Sequence, residues 1–203
     1  MMRRVVITGV GAVTPIGNTV KEMWAGVREG KCGIDKITKY DISNRKVKVA
    51  AEVKNLPVEE LVDKHDLRKM DLFCTFAMIA ADEAIADSGL SFEGEEDKCG
   101  VIVSSGIGGI STIEKEYSKG LEKGFDRVSP YFIPSVITNM AAGRIAIKHN
   151  LQGMCSCVVT ACAGGTNAVG DSFRQIRDGY ADVMVCGGAE AGKRSSGEKG
   201  RYP

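Results

Sequence analysis

The chain predicts an α/β protein whose layers surround a largely parallel sheet. Three runs, Gly100–Ser104, Met154–Val159 and Asp182–Gly187, are apolar almost throughout, as strands covered on both faces are. Between them lie stretches of helical periodicity long enough for the crossovers that parallel neighbours require. Each apolar run ends in a cluster of small residues, where the chain can turn sharply.

Composition sets limits. A chain of 203 residues with this apolar content fills one large domain or a domain and a half. A net charge of +1 exerts no general pull toward nucleic acid or membrane, so a charged partner site must be local. The seven cysteines form no CxxC pair, and Cys155 and Cys157 make only a CxC inside an apolar run, which argues against a zinc site and a disulfide framework. With no secretory leader pattern and no apolar run of membrane-spanning length, the expected compartment is a reducing cytoplasm.

In chain order, Arg3–Thr8 reads as a strand, followed by the glycine-bearing turn Gly9–Asn18. A dinucleotide GxGxxG would need its third glycine at position 14, where Thr14 stands, so that reading fails. Asn18 or Thr19 caps a helix through Glu29, with Met23, Trp24 and Val27 on its apolar face and Gly30 as its stop. Lys31–Pro57 is irregular except for Lys46–Val53, whose alternation predicts a half-exposed strand. A short polar helix follows Pro57. Met70–Ser88 then reads as a long helix, apolar nearly all round and so buried on most sides.

Lys64, Arg68 and Lys69, just before that helix, stand at helical spacing and read either as a solvated face or as a docking patch for an acidic partner; His65 reads as a surface histidine. Glu93–Lys98 is a charged loop before the Gly100–Ser104 strand. The following Ser105–Ile110 turn again misses the dinucleotide pattern, at Ser111, and its glycines read as sites of close backbone packing. Ile113–Gly124 predicts a charged amphipathic helix loosened at Gly120 and Gly124. Val128–Pro134 is an apolar loop stiffened by two prolines, either a partner surface or packed on its own chain. Asn139 opens a helix ending near His149 and Asn150, with His149 as a C-terminal cation.

The densest chemistry lies in Val158–Asn167. Cys162 falls between the Met154–Val159 strand and a helix over Thr166–Asp178, among Ala161, Ala163, Gly164 and Gly165. There a thiol feels the positive end of a helix dipole, which favours thiolate, and nearby amides can hold a developing oxyanion. Spacing alone leaves two readings open: a nucleophile, or one more small buried hydrophobe.

Thr160-Ala161-Cys162-Ala163 followed by Gly165-Thr166-Asn167 resembles the nucleophile motif of the β-ketoacyl-acyl-carrier-protein synthases, the condensing enzymes of bacterial fatty-acid synthesis, on their type II branch. Gly164 departs from the family, which usually has Thr or Ser there. The resemblance runs from Arg4 to Ala191 without a large gap. It implies the N-terminal half of a thiolase-like layered fold, a largely parallel sheet with helices on both faces. Residues 1–191 would be the N-terminal ketosynthase domain and residues 192–203 a polar, disordered tail outside the family. The family's second half carries two motif histidines, a lysine and a glycine-rich oxyanion segment; neither His65 nor His149 lies in such a motif.

The implied activity is an acyltransferase one. Cys162 would take an acyl group from acyl carrier protein as a thioester and condense it with malonyl carrier protein. No metal or organic cofactor is called for, because the thioester activates the acyl carbon and decarboxylation supplies the carbanion. The resemblance also implies an acyl pocket at Ile107 and Phe132, Phe132 reaching toward the partner of a homodimer. It assigns carrier-protein docking to Lys64, Arg68 and Lys69, and it implies neither nucleic-acid nor membrane partners. Two other readings stand beside it: a thiolase-like acyltransferase using coenzyme A thioesters, and an inactive fragment or dimerisation partner. Without the second half, the chain is expected to acylate slowly at most, to form no condensation product and to associate.

Overall fold

The computed structural model describes residues 3–192. In chain order the elements are α1 (Val20–Arg28), β1 (Ile34–Lys36), β2 (Val49–Ala51), α2 (Val58–Leu61), α3 (Lys64–Leu67), α4 (Leu72–Ser88), β3 (Cys99–Ser104), α5 (Ile110–Lys123), α6 (Phe132–Val136), α7 (Met140–His149), β4 (Cys155–Ser156), α8 (Gly164–Arg177) and β5 (Val183–Gly188). The main sheet has the order β4-β3-β5, and both pairings are parallel. β1 and β2 form a separate antiparallel pair.

All six residues of β3 are buried. Successive side chains of a strand face opposite ways, so both faces of the sheet are covered at its middle. α8 packs on β3 and β5, α7 on β3, and α4 on α7 and β5. Phe73, Val101, Ile102 and Ile145 are the largest apolar side chains with almost no exposure; Phe73, Val101 and Ile145 knit α4, β3 and α7 together, while Ile102 points to the opposite face of the sheet. Truncating a phenylalanine such as Phe73 to alanine in a core of this kind costs about 3–5 kcal/mol.

The long helix after Met70 is present as expected, with its buried face running from Phe73 to Ala81. Asp71 caps it, accepting the Phe73 N–H, and its other carboxylate oxygen accepts the N–H (2.9 Å) and hydroxyl (2.7 Å) of Thr112. One side chain therefore starts α4 and fixes the first turn of α5. α1 is capped by Thr19, whose hydroxyl accepts the Glu22 N–H. His149, at the end of α7, has its Nε2 2.8 Å from an Asp82 carboxylate oxygen of α4, which ties the two helices together.

Several expectations need correction. Arg3–Thr8 forms no strand; it is held by α4 further on, where Glu83 accepts the Ala12 and Val20 amides and Asp87 the Val10 amide. An apolar cleft of about 300 Å³ lies among Val5–Gly9, α4, α8 and β5. The Lys46–Val53 strand shrinks to the three residues of β2. The Met154–Val159 strand shrinks to Cys155–Ser156, which pair with Val101 and Ile102 of β3. The Val128–Pro134 loop is partly helical, as α6, and is anchored where Glu116 accepts the Ser129 N–H at 2.8 Å. α5 begins at Ile110 and not Ile113, and Gly120 makes room for the Phe125 ring instead of loosening the helix. The tail expected at 192–203 lies, apart from Gly192, outside the described residues.

Candidate active site at the carboxyl ends of the parallel strands

The three parallel strands point the same way, so the turns that leave them gather at one edge, where open α/β sheets bind their ligands. β3 leads into Ser105–Gly109, β4 into the Cys162 turn and β5 into Ala189-Glu190. The middle turn touches both others. A Cβ placed on Gly106 would lie 3.0 Å from a Glu190 carboxylate oxygen and 3.8 Å from the Ala161 Cα.

Cys162 is exposed, in a tight 3-10 turn over Ala161–Ala163, and α8 starts two residues on with Ala163 as its N-cap. Ala161 has a φ of +48°, a left-handed conformation unusual for a residue with a Cβ. The thiol thus stands at the positive end of a 14-residue helix, as the sequence predicts, and it is not the buried hydrophobe of the rival reading. The oxyanion expectation is narrowed: the Ala163 N–H is donated to the Thr160 carbonyl at 3.1 Å and the Gly164 N–H to the Ala161 carbonyl, because a 3-10 turn closes on itself. Those two amides are spoken for.

Other cysteines differ in kind. Burial pushes the Cys74 thiol up to about 12 and raises the buried Cys99; Cys155 and Cys186 are exposed residues, and partial desolvation of their sulfurs raises them too. Cys32 shares the exposure of Cys162 but follows the short helix α1 at its C-terminal side. Among the described residues no cluster of three or more His, Cys, Asp or Glu side chains is placed to hold a metal, and no helix is long and apolar enough to cross a membrane.

Ile107 is exposed on the middle turn. α6, which begins with Phe132, is locked onto the same turn, since the Gly109 N–H donates to the Val136 carbonyl at 3.0 Å. The Ile107 turn is therefore flanked by the Cys162 turn on one side and α6 on the other. The 300 Å³ cleft is not part of this arrangement: Cys162, Ile107 and Phe132 do not line it.

The basic cluster is less uniform than its spacing suggests. Lys64 opens α3 and is exposed, with Glu59 at 3.6 Å; Arg68, the C-cap, is exposed. Lys69 is half-buried, its ammonium 5.1 Å from the centre of the Tyr131 ring, and its carbonyl accepts from Ser135 and Arg144.

Sequence reasoning missed two contributors. Glu190 accepts the Gly106 N–H at 2.8 Å and the Ser105 hydroxyl at 3.3 Å; its signal was a lone carboxylate closing an apolar strand. Ser104 is buried, its hydroxyl has no partner among the described residues, and a Cβ on Gly164 would lie 2.8 Å from the Ser104 Cβ and nearer still to its Oγ. The small residue at 164, where the resembling family has Thr or Ser, thus answers a hydroxyl that the strand already places there.

Residues 2–197 match the family described as Beta-ketoacyl synthase, N-terminal domain. A 3-oxoacyl-[acyl-carrier-protein] synthase 2 of Synechocystis is 45% identical over 190 residues, which is 93% of this chain and 46% of that one. The ishigamide ketosynthase/chain length factor superposes with a TM-score of 0.84 at 29% identity, covering 96% of this chain and 49% of the other. A type II polyketide acyl-carrier protein in complex with its ketosynthase gives 0.80 at 25% identity over 94% of this chain and 52% of that one. The chain spans about half the length of the curated relatives it matches. The matched profile, the thiolase-like layers and the cysteine turn agree, and the chain belongs to the β-ketoacyl synthase family, within its N-terminal domain.

Proposed function

We propose that this domain carries the nucleophile of a fatty-acid β-ketoacyl-acyl-carrier-protein synthase. The observation that supports it most is the exposed Cys162 on a strained turn at the head of α8. In the first half-reaction the Cys162 sulfur attacks the acyl carbonyl of an acyl carrier protein thioester. A new C–S bond forms, and the carrier's thiolate leaves and takes up the proton that Cys162 gave up. In the second, malonyl carrier protein loses carbon dioxide and its carbanion displaces Cys162 from the acyl group, giving a β-ketoacyl carrier protein. The resemblance assigns the groups that assist this step to the second half of the family's fold.

Ile107 and Phe132 would line the acyl chain's path, and Lys64, Arg68 and Lys69 would receive the carrier, with Lys64 and Arg68 as the accessible members. A homodimer is the expected assembly, and its support is the exposed stripe of Ile113, Tyr117 and Leu121 at four-residue spacing on α5, extended by Phe125. The expected compartment is the cytoplasm. Incubating the protein with octanoyl carrier protein and with octanoyl coenzyme A tests the reading by intact-mass and peptide analysis. An acyl adduct on Cys162, formed faster from the carrier, is expected; an adduct on another residue, or none, refutes it, and a preference for coenzyme A favours the thiolase-like alternative.

A further inference from the structure

We infer that Glu190 is a positioning residue, whose carboxylate ties the Ser105–Gly109 turn to the end of β5 and thereby fixes where Ile107 stands beside Cys162. This rests on the reading of Cys162 as nucleophile and Ile107 as a pocket residue. The backbone beneath Glu190 is itself fixed, because the Ala189 N–H donates to the Ser104 carbonyl at 2.9 Å. From there one carboxylate oxygen accepts the Gly106 N–H at 2.8 Å and the other the Ser105 hydroxyl at 3.3 Å. The Ser105 oxygen in turn accepts the Gly108 N–H at 3.0 Å. A continuous chain of hydrogen bonds therefore runs from β5 through the turn on both sides of Ile107.

Past Ile107, α6 holds the other end of the turn through the Gly109 N–H and the Val136 carbonyl. Toward α6 it is already in contact, since a Cβ on Gly109 would lie 2.6 Å from the Ser135 carbonyl oxygen. Toward Cys162, the Gly106 backbone leaves room for only a methyl group beside Ala161. Ile107 itself is 51% exposed and has no core of its own to anchor it. Release of the Glu190 end would leave Ile107 mobile over the path that a chain on the Cys162 sulfur must follow. A long group on that sulfur presents more surface to Ile107 than a short one, so the loss should grow with chain length. General destabilisation would not produce that dependence.

The test uses the 203-residue chain and two thiol probes, N-ethylmaleimide and N-octylmaleimide, with rates at each cysteine followed by peptide mass spectrometry. The octyl-to-ethyl rate ratio at Cys162 is expected to exceed that at exposed Cys32. Glu190→Ala should lower the Cys162 ratio by about tenfold, the scale of losing hydrogen bonds to a charged group, while the ethyl rate and the Cys32 ratio stay unchanged. Glu190→Gln, which keeps one acceptor oxygen and offers a donor to Ser105, should retain most of the ratio. Ser105→Ala should lower the ratio too, and adding it to Glu190→Ala should cost no more than Glu190→Ala alone, since both break one chain of contacts. If Glu190→Ala does not fold, the Ser105→Ala result decides alone. An unchanged ratio in the variant that folds, or no octyl preference in the unaltered protein, overturns the inference. Repeating the series with acetyl and octanoyl thioesters separates the two claims: a maleimide effect without any acylation keeps the positioning role and rejects the acyl-transfer reading.

Discussion

Gly164→Ser restores the residue type usual in the resembling family, yet it should damage this protein. The added Cβ would lie 2.8 Å from the Ser104 Cβ and closer to its hydroxyl, well inside the contact distance of carbon atoms. Neither side can retreat. Gly164 is buried under the sheet edge, and Ser104 is the last residue of β3, paired with Gly188 and bonded through its carbonyl to Ala189. Overpacking of this kind costs about 1–3 kcal/mol, and in a domain of this size that lowers the melting temperature by roughly 2–12 °C. Ser104→Gly in the same chain removes the obstruction, so the double variant should recover most of the loss. Melting curves for the four proteins, with the iodoacetamide rate at Cys162 as a second readout, give the coupling directly. If Gly164→Ser melts with the unaltered protein, or if Ser104→Gly fails to rescue it, the packing account of the Cys162 turn is wrong.

In limited iodoacetamide treatment of folded protein, Cys162 should be alkylated first and Cys74, whose burial pushes it up to about 12, last; mass mapping that finds Cys32 or Cys99 ahead contradicts this. Lys64→Glu with Arg68→Glu should weaken carrier-protein binding roughly two- to thirtyfold, the range expected for a pair of exposed charges, and the unaltered affinity should fall as salt rises; titration calorimetry reads both. The Ser129 N–H donated to Glu116 holds that carboxyl below its ordinary 4.5, so its contribution to stability is present above 4.5 and is lost as pH falls through the lower folded value. Glu116→Gln should therefore flatten the acid limb of a stability–pH curve, and an unchanged limb counts against it. Tyr117→Asp with Leu121→Asp on the exposed stripe of α5 should convert a species sizing above 21.7 kDa into a monomer.

What the sequence made legible was what depends on one segment. β3 and α4 could be read because their burial is so complete that apolarity alone marks them, and the Cys162 turn because small residues bracket it between two periodic runs. Arg3–Thr8 and Met154–Val159 have the same local signature, but a strand also needs a partner at the right distance. The first lines a cleft beside β5 and joins no ladder, and the second pairs with β3 over only two residues. Glu190, Ser104 and Asp71 act through residues far off in the chain, so no spacing rule announces them.

The left-handed Ala161 shows why those distant contacts matter to the chemistry. A residue with a Cβ in that region costs about 1–2 kcal/mol, and a glycine there would relieve it. Such strain survives only where the surroundings fix the conformation from several sides. Here the Thr160–Ala163 hydrogen bond closes the turn from within, Ser104 sets its height through Gly164, and the Gly106 backbone leaves room for only a methyl group beside Ala161. The direction in which Cys162 presents its sulfur is therefore a property of the β3 and β4 turns together, and Glu190 extends the same control to β5.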